Sequence, residues 1–119
     1  MFNFEKLTVW QKAIDFADFV YRETRTFPTE ERFGLVSQMR RAAISVSSNI
    51  AEGSSRMLKA DYGRFLELAT GSVFEVASEA TIAQRQGFLE RAAFDRLYAS
   101  AEELSKMLSA LRSTVVSTR

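Results

Sequence analysis

One proline, Pro28, stands in the 119 residues of this chain. On both sides of it, apolar residues recur at spacings of three and four. A helix has that period because 3.6 residues complete a turn, whereas a half-buried strand alternates. The longest run is Phe94, Leu97, Ala101, Leu104, Leu108, Leu111 and Val115, which continues without a break. Such a seam is what helices packed side by side in a bundle require. With no strand-like alternation and only five glycines, the chain has few places to turn. Long helices are the consequence.

Four helices are expected. The first covers residues 7–26, with Trp10, Ile14, Ala17 and Tyr21 on its inner face, joined by Ala13 and Val20, and with Phe16 and Phe19 to one side. Phe27-Pro28 ends it, because a residue before proline disfavours the helical basin. Thr29 caps the second helix, 30–52, with Glu30 and Glu31 where the helix dipole favours them. Its core face is Leu35, Met39, Ala42, Ala43, Val46 and Ile50, and Gly53 reads as a left-handed stop. The third helix, 59–86, has the inner stripe Tyr62, Phe65, Leu66, Ala69, Val73, Val76, Ala80 and Ala83. Gly71 in its middle costs ~1 kcal/mol against alanine and suggests close approach of another backbone. Gly87 closes that helix, and the fourth covers 91–116, with a solvated face of Arg96, Glu102, Glu103, Lys106 and Arg112. Connections of a few residues make successive helices antiparallel neighbours. The fold class is all-α, a single domain over residues 1–119, built as an antiparallel up-down-up-down four-helix bundle.

Composition narrows the chemistry. Cysteine and histidine are both absent. Disulfides, thiolate chemistry, the commonest general base and the usual transition-metal ligand are therefore missing. A non-enzymatic protein without a cofactor is expected. Sixteen Lys and Arg balance fifteen Asp and Glu, so overall charge exerts no strong pull on nucleic acid or an anionic membrane. No apolar run approaches the ~20 residues that span a bilayer. The first ten residues, MFNFEKLTVW, lack the pattern of a signal peptide, so a cytoplasmic protein with no membrane partner is expected.

The stretch QMRRAAISVSSNIAEGSSR, residues 38–56, carries the most information about function. On a helical wheel, Gln38, Arg41, Ser45, Asn49, Glu52 and Arg56 fall within about 80° of one another, beside the core arc. Val36, Arg40, Ile44, Ser47 and Ala51 lie on the opposite flank, a second apolar strip for which a lone monomer has little use. The tandem arginines thus point about 100° apart and do not form one phosphate clamp. Arg41 and Glu52 are roughly 16 Å apart along the axis, too far to pair within one helix. Three readings of the polar arc stand: a solvated face, a subunit interface built on Gln38, Arg41, Ser45, Asn49 and Glu52, and a nucleic-acid contact. For the last, residues 40–64 hold five basic groups (Arg40, Arg41, Arg56, Lys59, Arg64) against Glu52 and Asp61. Such a patch would bind RNA or DNA weakly and in a salt-sensitive way.

Other constellations offer less. Glu75 and Glu79 are one turn apart, with Glu67 before them, but helical di-metal sites also use histidine. An exposed charged face is the expectation for these carboxylates. No serine has a base-bearing partner, and AEGSSR and ATGSV lack the Walker lysine and its spacing.

FEKLTVWQKA (4–13), FGLVSQMRRAAISVSSNIAEGSSR (33–56), YGRFLELATGSVFEV (62–76) and RQGFL (85–89) resemble the four-helix-bundle family of 23S rRNA intervening-sequence proteins. That resemblance implies a homopentamer of antiparallel bundles and no enzymatic activity. Some members are encoded within ribosomal RNA genes. The similar accessory protein of diversity-generating retroelements is a basic pentamer that works with a reverse transcriptase and nucleic acid. The family pattern falls on Gln38, Arg40, Arg41, Ala42, Ser45, Asn49, Ile50, Ala51, Glu52, Gly53, Phe65, Leu66, Gly71 and Ser72. Ser47 stands where proline is common, and Thr70 where a basic residue is common, so this chain is a poorer nucleic-acid binder than its basic relatives. The expected role is a homo-oligomeric scaffold or accessory protein that partners with itself, with weak RNA or DNA binding as the alternative and any protein partner unidentified.

Overall fold

The computed structural model describes residues 1–117. Four helices follow in order: α1 (Thr8–Thr24), α2 (Leu35–Ser54), α3 (Lys59–Arg85) and α4 (Arg91–Ser117). Single 3₁₀ turns, Asn3–Lys6 and Thr29–Glu31, precede α1 and α2. Among the described residues there is no strand. Each helix packs on its neighbours in sequence, and α1 closes the square on α4, leaving α1/α3 and α2/α4 as diagonals. The result is an antiparallel up-down-up-down bundle, about 49 Å long and 22 Å across.

The core follows the apolar period. On α2, all six expected core residues are buried, from Leu35 to Ile50. On α4, Leu97, Ala101, Leu104 and Leu108 are buried, with Phe94, Leu111 and Val115 packed at the margin. On α3, Leu66, Ala69, Val73, Val76, Ala80 and Ala83 face inward, whereas Tyr62 and Phe65 are half-buried on its flank. The inner face of α1 is rotated from expectation. Val9, Ala13, Phe16 and Val20 fill the core, Trp10 and Ala17 lie at its edge, and Tyr21 is exposed. Nearly every second position of α1 is apolar, so the neighbours α2 and α4 decide which arc turns inward.

The helix ends also differ in detail. Thr29 makes no side-chain cap, and α2 begins only at Leu35. The Glu31 Oε1 atom accepts a hydrogen bond from the Leu35 N–H at 3.3 Å, covering part of the open helix start. Gly53 is not a left-handed stop but a buried residue inside α2. A Cβ there would lie 2.7 Å from the Phe65 Cβ, so the glycine lets α2 and α3 approach. Gly71, expected to serve such an approach, is exposed and has nothing within 4 Å of a built Cβ. Gly87 does close α3, with φ of +80°. The Phe88 N–H reaches the Ala83 carbonyl at 2.9 Å, and the Gly87 N–H reaches that of Gln84 at 3.0 Å, a Schellman ending.

The outer face of α4 is solvated as expected at Arg96, Glu102, Glu103 and Lys106, and Arg112 is half-buried. Glu103 pairs with Lys12 of α1 at 3.0 Å, Arg112 pairs with Glu67 of α3, and the Arg96 guanidinium lies 5.6 Å from the Phe19 ring centre.

Candidate functional site

The two arginines of the tandem have different surroundings. Arg40 turns toward α1. Its Nε donates to the Thr24 Oγ1 at 2.9 Å and an Nη to the Tyr21 carbonyl at 3.3 Å, with the guanidinium 4.5 Å from the Tyr21 ring centre. Thr24 is buried, and its own hydroxyl donates a hydrogen bond to the Val20 carbonyl at 2.7 Å. Arg40 is thus part of the α1/α2 joint. On the same flank, Val36 and Ser47 are buried within the chain, so half of the supposed spare apolar strip is already used. Ile44 remains 43% exposed.

Arg41 turns toward α3. It lines a groove with Gln38, Ala42 and Ser45 of α2 and Ser72 and Glu75 of α3. Among the described residues it has no ion-pair partner. The floor of the groove is a small polar junction. Ser72 Oγ donates to Ser45 Oγ at 2.9 Å, and Asn49 Nδ2 donates to the same oxygen at 2.9 Å and to the Ser45 carbonyl at 2.8 Å. Four of the five residues expected in a polar network are therefore gathered here: Gln38, Arg41, Ser45 and Asn49. Glu52 is not, because it lies nearer the helix end and pairs with Arg56 at 3.8 Å.

Two acidic residues complete this side of α3. Glu75 lines the groove, and Glu79, one turn further on, is only 7% exposed. This corrects the expectation of an exposed carboxylate face at Glu79 alone; Glu67 and Glu75 are exposed. Burial, then the charge of Glu75 and a hydrogen bond to its side chain, push the Glu79 carboxyl up to about 7. Its Oε1 is buried without a hydrogen-bond partner. A buried carboxylate left in that state keeps its proton more readily than one in water. Among the described residues no three acidic groups converge as metal ligands would. The spacing of Glu75 and Glu79 was visible in the sequence; the burial of Glu79 was not. Ser72 could be found there through the family pattern.

Apolar side chains border this groove. Leu68 is 45% exposed and Ile82 is 50% exposed, both on the α3 surface, with open space over Gly71 between them. A second groove, between α3 and α4, is lined by Phe74, Ala77, Tyr98 and Ala101.

The profile of the 23S rRNA-intervening sequence proteins matches residues 5–110. The chain belongs to that family. The match takes in α1, α2, α3, most of α4 and every residue of the α2/α3 groove. No curated protein matches it. Among solved structures, one from Bacteroides thetaiotaomicron VPI-5482, described as a protein with unknown function from the S23 ribosomal protein family, has a TM-score of 0.79. It is 20% identical, and the alignment covers 88% of this chain and 98% of that one. At that identity the likeness speaks for the fold. In this 23S rRNA-intervening sequence protein, the five basic residues singled out for nucleic acid do not make one patch. Arg56, Lys59 and Arg64 lie near the end where α2 turns into α3, with Lys59 and Arg64 pointing about 140° apart on α3, and Arg56 lies 4.6 Å from the Phe65 ring centre. Arg40 and Arg41 are roughly 20 Å further along α2, on opposite flanks. No helix among the described residues is long and apolar enough to cross a membrane.

Proposed function

We propose that this protein is a non-catalytic, cytoplasmic homo-oligomer that acts as a scaffold or accessory protein, with the α2/α3 face at its subunit contact. One observation carries the reading. Gly71 sits in mid-helix with no neighbour in its own chain, between the exposed Leu68 and Ile82. A helix tolerates the ~1 kcal/mol cost of an interior glycine when something must come close to it. Exposed apolar residues beside a polar groove are also the usual make-up of a protein contact. Five copies per assembly is what the family resemblance implies. Arg41, lying free in the groove, is the residue that a neighbouring subunit would engage. Light scattering tests this. The wild-type chain is expected to have a multiple of the monomer mass, and Arg41→Glu to run as a monomer with unchanged helicity. A monomeric wild type would refute the reading, and an Arg41→Glu assembly of full mass would remove Arg41 from the contact.

The placement of Arg56, Lys59 and Arg64 near one end of the bundle supports a second reading, weak RNA or DNA binding there. Binding by a few phosphate contacts falls steeply with salt. Failure to shift structured RNA even at low salt would remove it.

A further inference from the structure

We propose that the end of the bundle where α2 turns into α3 is a docking surface for an anionic membrane, with Met57 and Leu58 as its apolar tip. This goes beyond the assembly reading and does not depend on it.

Antiparallel packing decides what gathers at this end. Arg40 bonds to Thr24 across the α1/α2 joint. Thr8, where α1 starts, lies as many residues before Thr24 as Arg56 lies after Arg40. Both stand roughly 24 Å from that joint, level with each other. Beyond that level, the segment leading into α1 lies beside the α2/α3 turn, and its 3₁₀ turn packs on both α1 and α2.

Apolar exposure is greatest here. Among the described residues Met57 is the most exposed large apolar side chain, at 98%, and Phe2 and Leu58 are 70% and 65% exposed. Met57 and Leu58 sit in a turn at the end of the bundle rather than on a helix side. Phe2 stacks on Phe4 at 5.6 Å between ring centres, and Phe4 packs edge-on against Trp10, so Phe2 is held by its own segment. At the opposite end the exposed Phe33 has the Arg32 guanidinium 4.8 Å from its ring centre. Exposed apolar groups of this kind mark a contact with a protein or a membrane.

The charges favour the membrane. Arg56 and Lys59 bracket Met57 and Leu58 in sequence, with Lys6 and Arg64 close behind. The acids of this end are Glu5, Glu52 and Asp61, and Glu52 pairs with Arg56 at 3.8 Å. Arg112 and Glu67 pair and cancel. The end is thus weakly positive, with two of its cations directly beside the apolar tip. A lipid headgroup region accepts that order: apolar side chains enter the acyl boundary while long cationic ones stay with the phosphates. No helix among the described residues can cross a membrane, so the contact lies on its surface. Overall charge gave no reason to expect a membrane partner, but an average over the chain does not register where a few apolar and basic groups meet.

Two other occupants fit less well. A second copy set end to end would bring Arg56 and Lys59 against their own counterparts. Nucleic acid would use the cations but leave Met57 and Leu58 in water, since neither has a ring to stack or a strong hydrogen-bonding group.

Flotation of the full chain with vesicles tests this. Vesicles of phosphatidylcholine with about one-third phosphatidylglycerol should carry the protein, and vesicles of phosphatidylcholine alone several-fold less. Met57→Ser with Leu58→Ser should reduce binding to the anionic vesicles ~10-fold or more. Arg56→Gln with Lys59→Gln should bring it down to the level seen with phosphatidylcholine. All four positions are exposed, and unchanged helicity and light-scattering mass would show the fold and any assembly intact. No binding to either vesicle, equal binding to both, or full binding by the serine variant would overturn the proposal. A shift of structured RNA that the glutamine variant loses and the serine variant keeps, without vesicle binding, would assign this end to nucleic acid instead.

Discussion

Arg40 and Arg41 are neighbours of identical chemistry on one helix, yet one belongs to the fold and the other to the surface. The α1 side of α2 is complete: the guanidinium of Arg40 has a hydroxyl, a carbonyl and an aromatic ring, and the Ser47 hydroxyl donates to the Ile44 carbonyl at 3.1 Å. The α3 side is incomplete, with an unpaired arginine, a carboxylate oxygen lacking a partner and a glycine facing open space. A polar group bonded within its own chain contributes to stability there. One left open at a helix joint contributes little, and its presence calls for a different explanation. The contrast suggests that selection for folding acted on one flank of α2 and selection for contact on the other.

Variants can break or sharpen this contrast, and all are best compared by urea denaturation at one protein concentration, since assembly would add to apparent stability. The largest effect is expected where α2 meets α3 most tightly. Gly53→Ala forces a methyl group against Phe65 and should lower stability by about 2–3 kcal/mol; a neutral result would mean that the two helices slide freely there. Glu79 is next. Its folded value near 7 lies above its ordinary 4.5, so the fold favours the protonated form. That preference is fully present below about pH 4.5 and is lost as pH rises through 7. Glu79→Gln should therefore match wild type in acid and exceed it by on the order of 2 kcal/mol at alkaline pH. A constant difference across that range would show that Glu79 does not titrate in this way. Arg40→Ala should lose about 1–2 kcal/mol, the cost of a charged hydrogen bond and a ring contact, while Arg41→Ala stays within about 0.5 kcal/mol. Equal losses for the two would erase the distinction between the flanks. Finally, Gly71→Ala should raise the stability of the isolated chain by up to ~1 kcal/mol and weaken self-association; tighter assembly would speak against close approach at that point.

Most of the architecture was legible before any coordinates. Helices α3 and α4 begin where their sequences indicate, and all six residues expected on the core face of α2 are buried, although Val36 and Ser47, read as the far flank, are buried as well. The α1 helix shows the limit of reading a face from apolar spacing. Its apolar residues cover so wide an arc that the sequence permits several orientations, and only contact with α2 and α4 selects one. The two glycines show another limit. Gly53 stands where a stop would stand and serves packing; Gly71 stands where packing seemed the reason and has no neighbour in the chain. A missing side chain can mean a turn, a near neighbour within the chain or a near neighbour from outside it, and only coordinates separate these. Glu79 was misplaced because a charged residue is exposed by default. The groove itself was half visible: its α2 wall follows from one arc of a wheel, while its α3 wall depends on the register of two helices, which Ser45 and Ser72 reveal only once they touch.

The square in which every helix touches its sequence neighbours also has a kinetic side. Contacts between α1 and α2, α2 and α3, and α3 and α4 are formed across short turns. Only the pairing of α1 with α4, held in part by Lys12 and Glu103, joins distant parts of the chain. Chains dominated by such local contacts fold quickly, in microseconds to milliseconds, since little loop entropy is lost before each contact forms. Each subunit can thus be finished well before it meets another, which keeps its exposed Leu68, Phe74 and Ile82 on a formed surface rather than on a collapsing chain.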